Sequence, residues 1–237
     1  MFIIKKYCVI LFAVIYYSSV FSQTTVTFKP NPTAGQDAVV FTTNPQNCIM
    51  GGNTIPSADM NYGDYSELIL YTWTHNASGC PEGTMRSLLK FDELSTIPTN
   101  AVVVSAELKL YGIPSSAQHM AQGNSSYSGS PYSASNNSLI QRVTSTWDEK
   151  TVTWNTQPTT TTANQIAVPQ STSQWNWNFT DNSVDLVAMV QNMVNNPATN
   201  YGFMIKIATE VYYRSVGFAS SNHNNPELWP ELTVTYH

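Results

Sequence analysis

The stretch Arg142–Pro158, RVTSTWDEKTVTWNTQP, constrains the fold more than any other part of the chain. Leu139, Val143 and the residues leading to Trp147 read as one strand, and Val152 and Trp154 alternate with Thr151 and Thr153 as a second. Asp148, Glu149 and Lys150 supply a polar turn between them, so the segment is expected to be a β-hairpin with a Trp on each arm. Tryptophans brought together in this way bury roughly 150–250 Å² each, enough to seed a β core that needs partner strands on either side.

Those partners occur in order: Gln36–Val40 (QDAVV), Arg86–Asp92 (RSLLKFD), Ile97–Leu108 (IPTNAVVVSAEL) running on to Tyr111, Asn200–Lys206 (NYGFMIK), Phe218–Ser221 (FASS) and Pro230–Tyr236 (PELTVTY). With the WDE-x-TVTWN-x-QP core, this ordered set, from about Gln36 to Tyr236, resembles the disaggregatase-related DNRLRE domain, also classed as carbohydrate-binding module family 96. The resemblance implies a secreted β-sandwich that binds polysaccharide, usually as a module beside an enzyme or a surface protein. It also implies a taste for acidic polysaccharide, which sits awkwardly with an acidic chain unless Ca²⁺ bridges the charges.

Residues 1–22 read as a signal peptide. Lys5 and Lys6 give a basic start, Tyr7–Val20 is an apolar run too short to span a bilayer comfortably, and Val20-Phe21-Ser22 suits a signal peptidase. Cleavage is expected before Gln23, leaving Gln23–His237 as one extracellular module with no membrane insertion; Cys8 lies inside the apolar run, away from any lipid-attachment position. An uncleaved anchor is the alternative, but no stop-transfer pattern or basic flank follows the run. Export sets the chemistry of Cys48 and Cys80, because an oxidising compartment lets a single pair close. A Cys48–Cys80 disulfide is expected; two buried free thiols are the other reading, since closure needs the Cα atoms within about 7 Å. The two cysteines lack the CxxC spacing of a metal site.

Two of the ten basic residues fall in the leader, leaving eight against fifteen acidic ones and a balance of −7 for the mature chain. That argues against nucleic acid as a partner and against any binding mode that rests on a broad basic patch.

Strand periodicity and the resemblance together point to an all-β fold: a single antiparallel β-sandwich of jelly-roll type with one short α-helix. Thr25–Phe28, Ala38–Thr43 and Glu67–Thr74 read as early strands, and Tyr201–Thr209, Ser215–Ser221 and Glu231–Tyr236 as closing ones. Val184, Val187, Val190 and Val194, with Leu186, Met189 and Met193, make the apolar stripe of the helix, capped by Asp181 or Ser183 and ended by Asn196-Pro197. Residues 115–138, rich in Ser, Asn and Gly, read as a loop inserted between sandwich strands, with Tyr127 and Tyr132 as its aromatics.

Aromatic side chains beside amides and hydroxyls are what a polysaccharide site needs, because pyranose C–H faces stack on rings while polar groups bond the hydroxyls. Three groups qualify. Tyr71 and Trp73 share a strand face with His75, as either core or platform; Trp175, Trp177 and Phe179 alternate with amides; Tyr212 and Tyr213 lie at a turn beside Arg214. Asp37, at the entry to a strand, is a possible Ca²⁺ ligand with Asn61 and Asp64, or else a turn or capping carboxylate. N-x-S/T triplets occur at Asn76, Asn124, Asn136 and Asn178.

No G-x-S-x-G, HExxH or phosphate-binding loop is present, and Asp148 and Glu149, as turn neighbours, point in different directions rather than across a glycosidic bond. The expected function is therefore non-catalytic carbohydrate binding. The rival reading is a structural or adhesive surface protein with no defined sugar site, and the exposure of Trp175 and Tyr212 separates the two.

Overall fold

The computed structural model describes residues 22–237 apart from Ala34 and Ser133. The leader expected over residues 1–22 lies outside the described residues but for Ser22. In chain order the strands are β1 (Thr24–Phe28), β2 (Gln36–Asn44), β3 (Glu67–His75), β4 (Cys80–Lys90), β5 (Val103–Leu110), β6 (Ser138–Val143), β7 (Thr160–Val168), β8 (Phe179–Asp181), β9 (Phe203–Ile207), β10 (Arg214–Ala219) and β11 (Glu231–Tyr236). The helix α1 spans Val184–Asn195, between β8 and β9. Every pairing among these strands is antiparallel.

One sheet has four strands in the order β1-β11-β5-β8. Its register sets Phe28 beside Leu232 and Val26 beside Val234, then Leu232 beside Leu108 and Val234 beside Ala106, so period-two alternation turns all of these toward the core. The opposite face carries Thr25 bonded to Thr235 and Thr27 to Thr233, each at 2.9 Å, and the Lys109–Glu107 pair. The other sheet has seven strands, in the order β10-β3-β4-β9-β6-β7, with β2 paired to β4 along its whole length. Because β2 fills one edge of β4, β3 and β9 share the other edge in succession: β3 pairs up to Met85 and β9 takes over at Ser87.

The main core lies between the sheets, where Leu68, Leu89, Phe203, Ile205 and Phe218 meet Leu108, Leu110, Leu232 and Val234. Burying each of these side chains contributes roughly 1.5–3 kcal/mol. Helix α1 closes this core with Leu186, Met189, Val190, Met193 and Val194, the apolar stripe expected from sequence. Both candidate caps are used: Ser183 Oγ accepts from the Leu186 N–H, and Asp181 accepts from the Ser183 N–H and hydroxyl.

Two local expectations need correction. The first arm of the predicted hairpin is β6, but Thr151–Trp154 is not a strand and β6 pairs with β7. The cause is local satisfaction of the backbone. The Val152 N–H bonds the Asp148 carbonyl, the Val152 carbonyl accepts from the Asn61 amide, and the Thr153 N–H is taken by the Thr156 hydroxyl, so no ladder is needed. Trp147 and Trp154 still serve a core, since the segment folds onto the outer face of the large sheet and covers Ala38, Val40, Leu88, Val143 and Met204. Second, in Gln174–Phe179 only Phe179 is in a strand; Asn176 sits at φ 56°, which breaks the alternation that would have put Trp175 and Trp177 on one face. The Thr- and Ser-rich run after Pro158 contains β7.

The 115–138 loop is tied down, and by the residues that gave it low complexity. Asn124 and Ser125 bond the backbone N–H groups of Gly217 and Ser215, and the Asn136 amide bonds the Ser215 carbonyl, so the loop pairs with and covers β10 at the end of the sheet. Asn124 and Asn136 are buried in these roles, whereas Asn76 and Asn178 are exposed, so only the latter two sequons are open to a modifying enzyme.

Candidate functional site

The chain between β9 and β10 reverses direction through Glu210, Val211, Tyr212 and Tyr213. Arg214 fixes this turn by donating from Nη1 to the Thr209 carbonyl at 2.6 Å. Tyr212 is 50% exposed and Tyr213 41%, large values for aromatic side chains, and Val211 beside them is 48% exposed. Beneath them runs β3, whose outward residue at this point is Trp73.

The rings meet edge to face. Tyr213 lies 4.8 Å from Trp73 between ring centroids, and Tyr132, reaching in from the 115–138 loop, lies 4.6 Å from Trp73 on another side. Tyr132 and Tyr213 are 5.9 Å apart and Tyr212 and Tyr213 5.5 Å, so four aromatic side chains from three separate segments form one cluster. Pro131, Tyr132, Ala134, Tyr212 and Tyr213 enclose a shallow recess of about 170 Å³ there. Tyr71 stacks on Trp73 from below at 5.9 Å but is only 2% exposed, so it supports the platform as core. Of the six aromatics expected at a sugar site, the fold thus brings four together and adds Tyr132.

Trp175 and Trp177 lie elsewhere. Trp177 packs between Phe179 and Phe218 at the margin of the main core, at 6.4 and 5.8 Å. Trp175 is half-buried against Gly123, where a Cβ would stand 3.0 Å from its ring.

A clamp that sequence reasoning missed holds the tyrosine turn. The Arg86 guanidinium forms a two-pronged bond to Glu210, Nε to Oε1 and Nη2 to Oε2 at 2.7 Å each. Its Nη1 donates to Gln157 at 2.9 Å, and its Cζ stands 4.5 Å from the Trp154 ring centroid. The signature segment therefore buttresses Arg86, which grips Glu210 two residues before Tyr212. The one signal available in the sequence was a cation set beside apolar residues, with Met85 before Arg86 and Leu88 and Leu89 shortly after it.

Asp37 is 1% exposed and its carboxylate accepts from the Ser221 N–H at 2.8 Å. Burial, reinforced by the charge of Glu149, pushes its carboxyl up to about 6. Asn61 donates to the Glu149 and Val152 carbonyls, and Asp64 is exposed and paired with Lys150 at 2.6 Å. The three side chains thus have separate protein partners, and no group of three or more His, Cys, Asp or Glu suited to a metal ion occurs among the described residues. Asp148 and Glu149 differ as expected, Asp148 being exposed while Glu149 is buried against Lys150. The Cys48–Cys80 disulfide is formed, with Cα atoms 5.9 Å apart. No helix among the described residues is long and apolar enough to cross a membrane.

Over residues 54–236 the sequence matches the family model for carbohydrate-binding module family 96. No curated protein matches the chain. Two solved structures from cowpea mosaic virus show a faint likeness: the naturally occurring empty particles of its top component and its empty virus-like particle. Each is 9% identical with a TM-score of 0.20, covering 94% and 95% of this chain and 88% and 83% of theirs, too distant to carry any argument.

Proposed function

Because the chain belongs to carbohydrate-binding module family 96, we propose that residues 23–237 act as a secreted, non-catalytic module that binds polysaccharide at the tyrosine recess. The observation that carries this reading is the convergence of Trp73, Tyr132, Tyr212 and Tyr213 from a strand, a long loop and a turn onto one partly exposed surface. Exposed rings in that setting offer a stacking surface for pyranose C–H faces, worth about 0.5–1.5 kcal/mol per well-placed contact beyond area burial. Secretion is supported by the basic-then-apolar leader and by a disulfide, which persists in oxidising compartments. Non-catalytic action is supported by the divergent settings of Asp148 and Glu149, which do not face each other across a cleft.

A glycan array, run with and without Ca²⁺, tests the reading. Selective binding is expected, with Tyr213→Ala and Tyr132→Ala each weakening it by about tenfold. Binding left unchanged by both substitutions would move the site away from the recess, and no binding to any glycan would favour the structural or adhesive role. Dependence on Ca²⁺ would return Asp37 to the list of ligands.

The clamp gives a second expectation. Glu210→Ala frees the turn while leaving both tyrosines in place, so glycan affinity should fall by about fivefold, the equivalent of ~1 kcal/mol from a half-buried ion pair. Titration calorimetry checks this, and an unchanged affinity would mean that the turn is held without Glu210.

A further inference from the structure

The segment Thr146–Pro158 does more than cover the outer face of the large sheet. Its own turns enclose a second recess of about 290 Å³, lined by Thr146, Trp147, Asp148, Thr151, Val152 and Thr156. Trp147 is fixed there because its indole N–H donates to the Tyr201 carbonyl at 2.8 Å, and Val152 beside it is buried. Together they make an apolar wall.

The rim is rich in acceptors. Asp148 Oδ1 accepts from the Lys150 N–H at 3.0 Å and the Thr151 hydroxyl at 3.3 Å, while Oδ2 has no hydrogen-bond partner among the described residues. The Thr146 hydroxyl likewise makes no bond to a described residue. Among the described residues no cation pairs with Asp148, and the Lys150 ammonium is held by Asp64 and Glu149. A ligand for this recess must present an apolar face to Trp147 and hydroxyl donors to an uncompensated carboxylate. A uronate or sulfate would instead bring a second negative charge to a negative rim.

We propose that this recess is a second carbohydrate subsite, selective for a neutral pyranose whose hydroxyls donate to Asp148 and whose C–H face lies on Trp147. The inference rests on the reading of the chain as a carbohydrate binder, but on a different set of residues from the tyrosine recess. It also gives the signature turn ligand-facing residues, Trp147 and Asp148, distinct from Trp154 and Gln157, which hold Arg86.

Solution NMR of the ¹⁵N-labelled, disulfide-bonded protein tests it, with cellohexaose, mannohexaose, xylohexaose and laminarihexaose as neutral probes and hexagalacturonate as the anionic one. At least one neutral hexamer is expected to shift the Trp147 indole and Thr151 amide signals saturably, with hexagalacturonate leaving them in place. Asp148→Ala should weaken that response by about tenfold and Thr146→Val by about fivefold, while Tyr213→Ala leaves it unchanged. Because the Thr146 hydroxyl bonds no described residue, Thr146→Val leaves the turn's own hydrogen bonds in place. Shifts confined to the tyrosine recess, or a Trp147 response indifferent to both rim substitutions, would overturn the second subsite alone. A complete absence of shifts with every hexamer would overturn the carbohydrate reading, and this subsite with it.

Discussion

Replacing both Cys48 and Cys80 by Ala is expected to destabilise the protein by about 4 kcal/mol, the loop-closure value for cysteines 32 residues apart. The bridge closes the segment that contains the short 3-10 turn Ser57–Asp59, β3 and several residues of a smaller buried cluster on the other face of the large sheet. Cys80 itself is fully buried among Val39, Phe41, Met50, Tyr62, Ile69, Tyr71 and Met85, so the bond anchors that cluster as well as shortening the unfolded chain. Few other contacts hold the exposed turns between Gln46 and Ile55, whose backbone bonds run mainly within the turn and to Ser78. For a module of this size the loss corresponds to roughly 8–16 °C in melting temperature. Scanning calorimetry checks this, and a shift below about 2 °C would show that the cluster holds without the bridge. Because Trp73 packs on the same cluster and carries Tyr132 and Tyr213, glycan affinity should drop in the double variant even where it remains folded.

The strands were legible wherever apolar residues alternate, as in Ala106, Leu108 and Leu110, because half-buried sheets impose that period on the sequence. The helix was legible for the same reason with a different period. The signature segment misled because period two in Val152 and Trp154 also fits a compact turn whose backbone is satisfied by Asn61, Asp148 and Thr156, and such side-chain bonds leave no periodic trace. At the site, alternation put Tyr71 and Trp73 on one face but could not say which ring is covered. Burial of Tyr71 depends on Phe41, Met85 and the loop residue Met120, all distant in sequence. The approach of Tyr132 and Tyr213 to Trp73 is set by Asn124, Ser125 and Asn136 fastening a loop to β10, a pairing that composition announces only as low complexity.

Between pH 4 and 6 two buried groups, His75 and Asp37, should tilt the stability of the protein in opposite directions. Burial pushes the His75 imidazole down to about 4, with the neighbouring His119 adding to the effect. Its ring is wedged between Phe41 at 5.4 Å and Tyr71 at 5.4 Å, against Gly83, where a Cβ would come within 2.6 Å of it, and its Nε2 has no hydrogen-bond partner among the described residues. The unfolded chain therefore binds the proton more readily, and this group's stabilisation is full above pH 6.5 and lost as pH falls toward 4. Asp37 has the opposite sign. Its carboxyl is raised from 3.8 to about 6, so the folded chain binds the proton more readily and stabilisation is lost as pH rises through that range. Each contributes a slope of at most about 1.4 kcal/mol per pH unit in the shared window, with opposite signs, and His119, also pushed down by burial, adds to the His75 side. Asp37→Asn keeps an acceptor for the Ser221 N–H while removing the titration, so its stability should fall steeply below pH 6. His75→Phe removes the other group, so from pH 4 to 6 its stability should gain less than that of the native protein. Urea denaturation of both variants and the native protein across this range reads the slopes directly. Parallel curves for all three would show that neither group is held in the folded state as its burial requires.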